Sequence, residues 1–315
     1  DLCRIPVASV PQGKNPVDSF IPVARIADML LNPGKTFEYN GGSQPFPDIK
    51  IVYWAGGNPF HHHQDLNRLL LAWQRPETVI VHEWCWNALA KHADIVLPVT
   101  TTLERRDIAM SPIDNYFVSM EPAIAPVGEA RDDYRILAEV AQLMGVEEKF
   151  TEGRDEEDWQ RWLYEVTKQT AAKEGHELPS YDAFRAKGWF MLPTPKKPNV
   201  LLSDFRADPV KNHLLTPSGK IEIYSETIES YGYDDCAPHP CWYEPQEWLG
   251  SPDLGTKLHL LGNQPKSRLH SQLDHGAVSR ATKIAGHEPV TINPIDAKIR
   301  GIKHGDIVQL SNSRG

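Results

Sequence analysis

The chain has 315 residues, 40% hydrophobic and 24% charged, with a formal net charge of -9 and a pI near 5.8. That is enough apolar material for a sizeable core, divided over about two units. The acidic balance argues against a nucleic-acid or membrane-surface binder, and no apolar run approaches the ~20 residues that span a bilayer.

The start, Asp1-Leu2-Cys3-Arg4, has neither an initiator Met nor a signal-peptide pattern. The other end, Ile307-Val308-Gln309-Leu310-Ser311, reads as a strand that stops just before Gly315. Both ends read as cut, so a portion of a longer protein is expected, and the compartment stays open between periplasm and cytoplasm. Pro22 to Leu31 predicts a short helix, followed by a loop through Gln44-Pro45-Phe46-Pro47. The run Ile51 to Trp54 predicts a strand, and Leu66, Leu69, Leu70 and Trp73 recur at helical spacing over 65–74. Thr78-Val79-Ile80-Val81 predicts a second strand ending in His82-Glu83. A helical turn over 87–92 leads to a third, Ile95-Val96-Leu97-Pro98. Strands alternating with helices imply a parallel, doubly wound α/β sheet.

Arg131-Asp132-Asp133-Tyr134 opens an amphipathic helix with Ile136, Val140, Leu143 and Met144 on one face and Gly145 at its stop. Asp132 or Asp133 suits its N-cap. Asp158 to about Lys173 predicts another helix, with Trp159, Trp162, Leu163 and Val166 to one side. From Pro179 to Gly250 prolines are dense and only Gly219 to Ser225 alternates like a strand. Beyond, Lys257–Leu261, Glu288–Ile292 and Asp306–Leu310 read as strands, and Asn293 to Gly301 as a short helix with Asn, Pro and Gly at its ends.

The most informative stretch is Tyr53-Trp54-Ala55-Gly56-Gly57-Asn58-Pro59-Phe60-His61, a strand running into a glycine turn and then a helix. Glycine lets a backbone approach a ligand where a Cβ would collide, and in open α/β sheets ligands lie beyond such strand ends. The turn lacks the three spaced glycines of the dinucleotide fingerprint and the Gly-Lys-Ser/Thr of a Walker loop, so a plain strand-to-helix connection competes with a nucleotide site. The four cysteines, Cys3, Cys85, Cys236 and Cys241, are too few for a disulfide framework. Cys236-Ala-Pro-His239-Pro-Cys241 lacks the second ligand pair of a zinc site. The consecutive His61, His62 and His63 point in different directions and cannot all ligate one ion.

With Tyr53-Trp54-Ala55-Gly56-Gly57-Asn58-Pro59, His92-Ala93-Asp94-Ile95-Val96-Leu97-Pro98, Thr102-Leu103-Glu104-Arg105, Arg268-Leu269-His270-Ser271-Gln272 and Asn293-Pro294-Ile295-Asp296-Ala297 in this order, the chain resembles the dimethyl sulfoxide reductase family of molybdopterin oxidoreductases. Pro245-Gln246-Glu247-Trp248-Leu249-Gly250 ahead of Arg268 is similar to its S-oxide and N-oxide reductase branch, which includes dimethyl sulfoxide, trimethylamine N-oxide and biotin sulfoxide reductases.

The resemblance implies a Rossmann-like cofactor-binding α/β domain within 1–150, drawn from roughly 23–106 and 133–148 with adjoining segments in a neighbouring domain. It implies a connecting segment at 151–255 and the start of a C-terminal six-stranded β-barrel from 256 to 315. The cofactor implied is bis(molybdopterin guanine dinucleotide) carrying molybdenum, with tungsten as the alternative metal. The metal ligand of this branch falls in the half of such enzymes not represented here. The cofactor-binding residues implied are Trp54, Gly56, Gly57, Asn58, Pro59, His61, His82, Glu83, Asp133, Arg268, His270, Ser271 and Gln272. Backbone N–H groups near Gly56, Gly57 and the following helix start suit a pyrophosphate. In the family a carboxylate at the position of Asp133 accepts from guanine; His82 and Glu83, at the end of the second strand, are placed to meet the ribose or guanine, and the Arg268–Gln272 donors to face the pterins. The reaction implied is oxygen-atom transfer from a small S-oxide or N-oxide, with an electron-donor protein or NAD(P)H as reductant. A formate dehydrogenase or nitrate reductase type of member is an alternative, as is a non-catalytic cofactor-binding module.

Overall fold

The computed structural model describes residues 7–315 other than Asp18, residues 112–114 and 194–199, Gln246, residues 253–254, Thr256 and Ser271. The chain separates into two units of discontinuous sequence: Asp1–Phe20, Tyr53–Gly56 and Val79–Ser225 in one, and Ile21–Val52, Gly57–Thr78 and Glu226–Gly315 in the other.

In the second of these, a short 3-10 turn at Val23–Arg25 leads into helix α1 (Ile26–Leu31). Strands β1 (Thr36–Tyr39) and β2 (Gly42–Pro45) form an antiparallel hairpin, with Phe37 stacked on Phe46 at 4.4 Å. Strand β3 (Ile51–Ala55) then carries the chain towards the glycine turn. Helices α2 (Pro59–His62) and α3 (Leu66–Trp73) follow, where the sequence pattern places them. The apolar stripe of α3 buries Leu69, Ala72 and Trp73 and packs against α1. Asp28 of α1 accepts from both Arg25 and Arg68. The later part of this unit has short helices at Glu226–Glu229, Ala277–Arg280 and Pro294–Ile299. The last carries the expected caps: Asn293 Oδ1 accepts from Ile295 N, and Pro294 stands at the first turn.

The other unit holds the parallel sheet. Strands β4 (Thr78–Glu83) and β5 (Ile95–Pro98) pair in parallel, Ile80 opposite Ile95 and His82 opposite Leu97. The sheet order is β3-β4-β5. Asp94 pins the entry to β5: its Oδ2 accepts from Val79 N at 2.8 Å, and its own N–H donates to the Val79 carbonyl. Strands β6 (Asp107–Met110) and β7 (Tyr116–Met120) form an antiparallel sheet that β8 (Trp189–Met191) completes. The described residues here include helices α4 (Asp133–Leu143), α5 (Glu147–Thr151), α6 (Glu156–Lys173) and α7 (Tyr181–Lys187), and a short one at Ser203–Ala207. Phe117, Tyr164, Ala171, Leu178, Tyr181, Phe184 and Leu192 close into one apolar cluster. Thus 156–192, inside the stretch read as connecting segment, builds its apolar cluster jointly with Phe117 of β7 and Ile108 of β6. Against this sheet, the sequence showed only the parallel α/β layer.

Three strand expectations in the barrel region are corrected. Among the described residues, no ladder forms after Met191 apart from a single bridge between Ile284 and His287. Lys257–Leu261, Glu288–Ile292 and Asp306–Leu310 are unpaired chain, with Leu260, Leu261, Ile307 and Leu310 exposed. A strand is defined by its partner's N–H and C=O groups, and alternation of side chains alone does not hold one. Gly219 to Ser225 fails for a local reason. Gly219 has φ +71°, its carbonyl accepts from Leu214 N, and the Lys220 carbonyl accepts from Thr216 Oγ1. These bonds compete with any ladder.

Candidate functional site

Strand β4 runs apolar until its last two residues, His82 and Glu83, both buried. A buried imidazole is costly unless both ring nitrogens are bonded, and here both are. Nε2 of His82 lies 2.8 Å from the Tyr53 hydroxyl and Nδ1 lies 2.7 Å from Asp133 Oδ1. Because a carboxylate only accepts, Nδ1 carries the proton; a neutral ring then accepts at Nε2 from the Tyr53 O–H. Burial, and then the Asp133 charge, push the Tyr53 phenol above its ordinary range, which keeps that donor protonated. Burial also raises the Glu83 carboxyl, opposed by hydrogen bonds from Asn87 and the Trp84 backbone. The Cys85 thiol is raised by burial and then by Glu83.

Asp133 is not the N-cap of α4. The cap position belongs to Asp132, whose side chain makes no capping bond and instead accepts from Thr100 Oγ1. Two adjacent aspartates thus have separate partners. The start of α4 is tied to the end of β5 through a bridge between Val99 and Arg131, with Arg131 N donating to the Pro98 carbonyl at 3.1 Å and Thr100 N to the Arg131 carbonyl at 3.1 Å. Asp133 is left with a side chain 48% exposed while the His82 side chain that holds it is 0% exposed. Among the described residues Oδ2 of Asp133 accepts no hydrogen bond. A half-exposed carboxylate held from one side by a buried ring can accept a pair of N–H donors from the other.

The glycine turn after β3 has Gly56 at φ +80° and Gly57 at φ +71°. Both lie in the left-handed region, where a β-carbon is unfavourable. A Cβ at Gly56 would meet nothing within 4 Å, so that glycine serves its backbone angle and leaves the main chain open. The start of α2 is less free than its sequence suggested. Pro59 has no N–H, Phe60 N donates to Asn58 Oδ1 at 3.0 Å, and His61 N donates to the Asn58 carbonyl. Donors for an anion therefore fall on the turn rather than on this helix. Asn58 is buried, and its amide meets His61 Nε2 at 3.3 Å. Burial, followed by the His62 and His275 charges, holds the His61 imidazole below its usual range. Trp54 is half-buried.

In Arg268–Gln272, Ser271 lies outside the described residues. The Arg268 side chain is only 11% exposed and its donors are engaged within the unit. They reach the His270 carbonyl (3.1 Å), Ser279 Oγ (3.3 Å), Asp274 (3.4 Å) and Glu288 (3.3 Å). Lys283 bonds the same two carboxylates at 2.9 and 3.1 Å, so charges of alternating sign close a ring around buried Ser279. Lys283 holds the carboxyls of Asp274 and Glu288 below the usual carboxylate range. His270 and Gln272 are exposed, with His270 at φ +52°. Among the described residues, no group of three or more His, Cys, Asp or Glu side chains is disposed to hold a metal ion.

The sequence reading placed Tyr53 in a strand and in the motif that carries the resemblance but gave it no part in the site. It also missed Thr100 and Glu156, which bracket Asp132. The histidine closing β4 was the available signal for Tyr53, since a histidine on a buried strand end requires two partners.

Residues 14–143 match the family described as "Molybdopterin oxidoreductase", and residues 258–315 match the "Molydopterin dinucleotide binding domain". The chain is 49% identical over 305 residues to a biotin sulfoxide reductase of Cereibacter sphaeroides, covering 96% of this chain and 41% of that protein. It is 48% identical over 300 residues to a dimethyl sulfoxide/trimethylamine N-oxide reductase of the same organism, covering 94% and 36%. It is 45% identical to a trimethylamine-N-oxide reductase of Haemophilus influenzae, covering 94% and 37%. The chain thus spans about two fifths of the length of these relatives. Acetylene hydratase from Pelobacter acetylenicus shares the mixed α/β fold, with a TM-score of 0.58 at 22% identity over 84% of this chain and 33% of that one.

Proposed function

We propose, from the premise that this chain belongs to the molybdopterin oxidoreductases, that it forms part of the seat for a bis(molybdopterin guanine dinucleotide) cofactor carrying molybdenum. The whole protein would be an enzyme that reduces small S-oxides or N-oxides, the activity for which the relatives over this stretch are named. When bound, the cofactor supplies oxygen-atom transfer and its electrons. This chain's residues bind and orient it.

The observation that carries the reading is Asp133: a half-exposed carboxylate held by a fully buried histidine at a β-strand's carboxyl end, where open α/β sheets take nucleotides. Guanine offers N1–H and N2–H side by side, and the two carboxylate oxygens accept them together. The main-chain N–H groups at Gly56 and Gly57 would take the pyrophosphate, next to Trp54, Asn58, Pro59 and His61 in sequence. Glu83 would meet the ribose or guanine region. His270, Ser271 and Gln272 would meet the pterins, with Arg268 bracing their loop. The finer architecture belongs to the same proposal: residues 256–315 contribute to a six-stranded barrel in the whole protein. Periplasmic or cytoplasmic residence and the electron donor follow from the rest of that protein.

The test is Asp133→Asn in the whole protein. An Asn must turn an NH2 towards a guanine donor, leaving an unpaired buried group at a cost of about 2–3 kcal/mol, a 30- to 150-fold loss of cofactor affinity. Pterin fluorescence after oxidation and guanine nucleotide released on denaturation should both fall, and reduction of dimethyl sulfoxide or trimethylamine N-oxide should fall with them. Full cofactor content in this variant would remove the reading.

A further inference from the structure

Between Tyr53 and Asp133 stands a side chain that no solvent and no ligand can touch. His82 is 0% exposed, so any role it has in recognition passes through another residue. Its two bonds define a direction: the Tyr53 hydroxyl donates to Nε2 at 2.8 Å, and Nδ1–H donates to Asp133 Oδ1 at 2.7 Å. The Tyr53 and His82 rings also sit 5.3 Å apart at 60°, which fixes the imidazole plane. As the first residue of α4, Asp133 has unbonded helix N–H groups close by, since no side chain caps this helix. A carboxylate there would ordinarily turn back on those groups. His82 holds it away from them.

We propose that Tyr53 and His82 are positioning residues that set the purine preference of this site by fixing the plane of the Asp133 carboxylate. The proposal rests on the guanine reading above. A carboxylate free to rotate keeps one bond to N1–H and loses much of the second, to the N2 amine. Hypoxanthine lacks that amine, so loss of the plane costs a guanine nucleotide more than a hypoxanthine one. Adenine presents an acceptor at N1 and is rejected in either case. Tyr53 acts one step earlier. Asp133 already fixes the proton on Nδ1; the Tyr53 O–H on Nε2 and the ring contact fix the tilt of the imidazole, and without them the Nδ1–H bond that holds the carboxylate plane is free to swing.

The experiment titrates the cofactor-free form of the whole protein with GDP and with IDP by calorimetry and reads the ratio of the two affinities. A well-placed hydrogen bond to a charged group predicts a wild-type preference for GDP of about 10- to 100-fold. His82→Phe keeps the volume and removes both bonds, and should bring the ratio to about 2. Tyr53→Phe should lower it about threefold. His82→Asn, whose amide N–H takes roughly the place of Nδ1–H, should keep most of it. Asp133→Asn should erase it. A GDP preference surviving in Asp133→Asn removes the guanine reading itself. If Asp133→Asn loses the preference while His82→Phe and Tyr53→Phe retain it, the guanine reading stands and the positioning role is overturned. Equal weakening of GDP and IDP in His82→Phe also overturns it, because that is what a merely structural histidine would give. If His82→Phe does not fold, Tyr53→Phe decides on the same ratio.

Discussion

Replacing Glu156 by Gln should stabilise its unit above neutral pH and leave it unchanged in acid. Glu156 opens α6, just after the cap residue Asp155, whose Oδ1 accepts from Asp158 N. Its carboxyl is pushed up to about 7 from an ordinary 4.5, first by burial, then by its hydrogen bond to Asp132 and by the charges of Asp132 and Asp155, with Arg105 opposing. The raised value means that the folded protein holds a proton that the unfolded chain releases. The stabilisation is therefore complete below about 4.5 and is lost as pH rises towards 7. Moving a carboxyl that far penalises its ionised form by about 3 kcal/mol at 1.36 kcal/mol per pH unit. Solvent access at the helix start reduces this to about 1–2 kcal/mol. Gln cannot ionise, and its amide still donates to Asp132 as the protonated acid does. Hydrogen exchange of peptides from 150–175 should be slower in the variant by about 5- to 30-fold at pH 8 and equal at pH 4.5. Comparison at matched pH cancels the intrinsic exchange rate. Variant and wild type exchanging alike at every pH, or a faster variant at pH 8, would refute the shared-proton account.

Arg268→Ala should destabilise the loop around Ser279 by about 2–3 kcal/mol, because it leaves Asp274 and Glu288 facing each other with Lys283 alone between them. Faster hydrogen exchange over 276–288 would register it, and an unchanged rate would show the ring to be surface pairing only. Phe184→Ala removes a 0% exposed ring stacked on Tyr164 at 4.9 Å and should cost about 3–5 kcal/mol. Urea unfolding followed through the tryptophans of α6 measures it, and a loss under 1 kcal/mol would place the cluster outside the folding core.

The parallel layer could be read from the chain because its signals are local. The apolar runs of β3, β4 and β5 end at Gly, His-Glu and Pro, and α3 between β3 and β4 keeps a 3.6-residue period. The antiparallel sheet could not be read in this way, since β8 joins β7 across some seventy residues, pairing Phe190 with Phe117. Gly219 to Ser225 and the barrel stretches failed for the converse reason: alternation is local, but a ladder is not. At the candidate site, Asp133 was singled out through resemblance, and the structure gives the helix-cap position to its neighbour Asp132. The deciding partner, His82, lies 51 positions away. Tyr53 and Glu156 were illegible because the partner that gives each its role, His82 and Asp132 respectively, lies more than twenty positions away.

The seam joining Pro98–Thr100 to Arg131 also determines where this chain tolerates changes of length. Upstream of it, 121–129 is an exposed loop tied down by Ala123 N and Ile124 N on the Leu103 carbonyl and by Val127 N on Glu104 Oε1, so that only its Gly128-Glu129 turn can take added residues by bulging into solvent. Directly after Arg131 there is no such slack. One residue inserted there would turn the whole of α4 by about 100° relative to β5, carrying Asp132 into the place of Asp133 and Asp133 into that of Tyr134. Within a few positions, a turn that can lengthen gives way to a stretch whose spacing sets where Asp132 and Asp133 point.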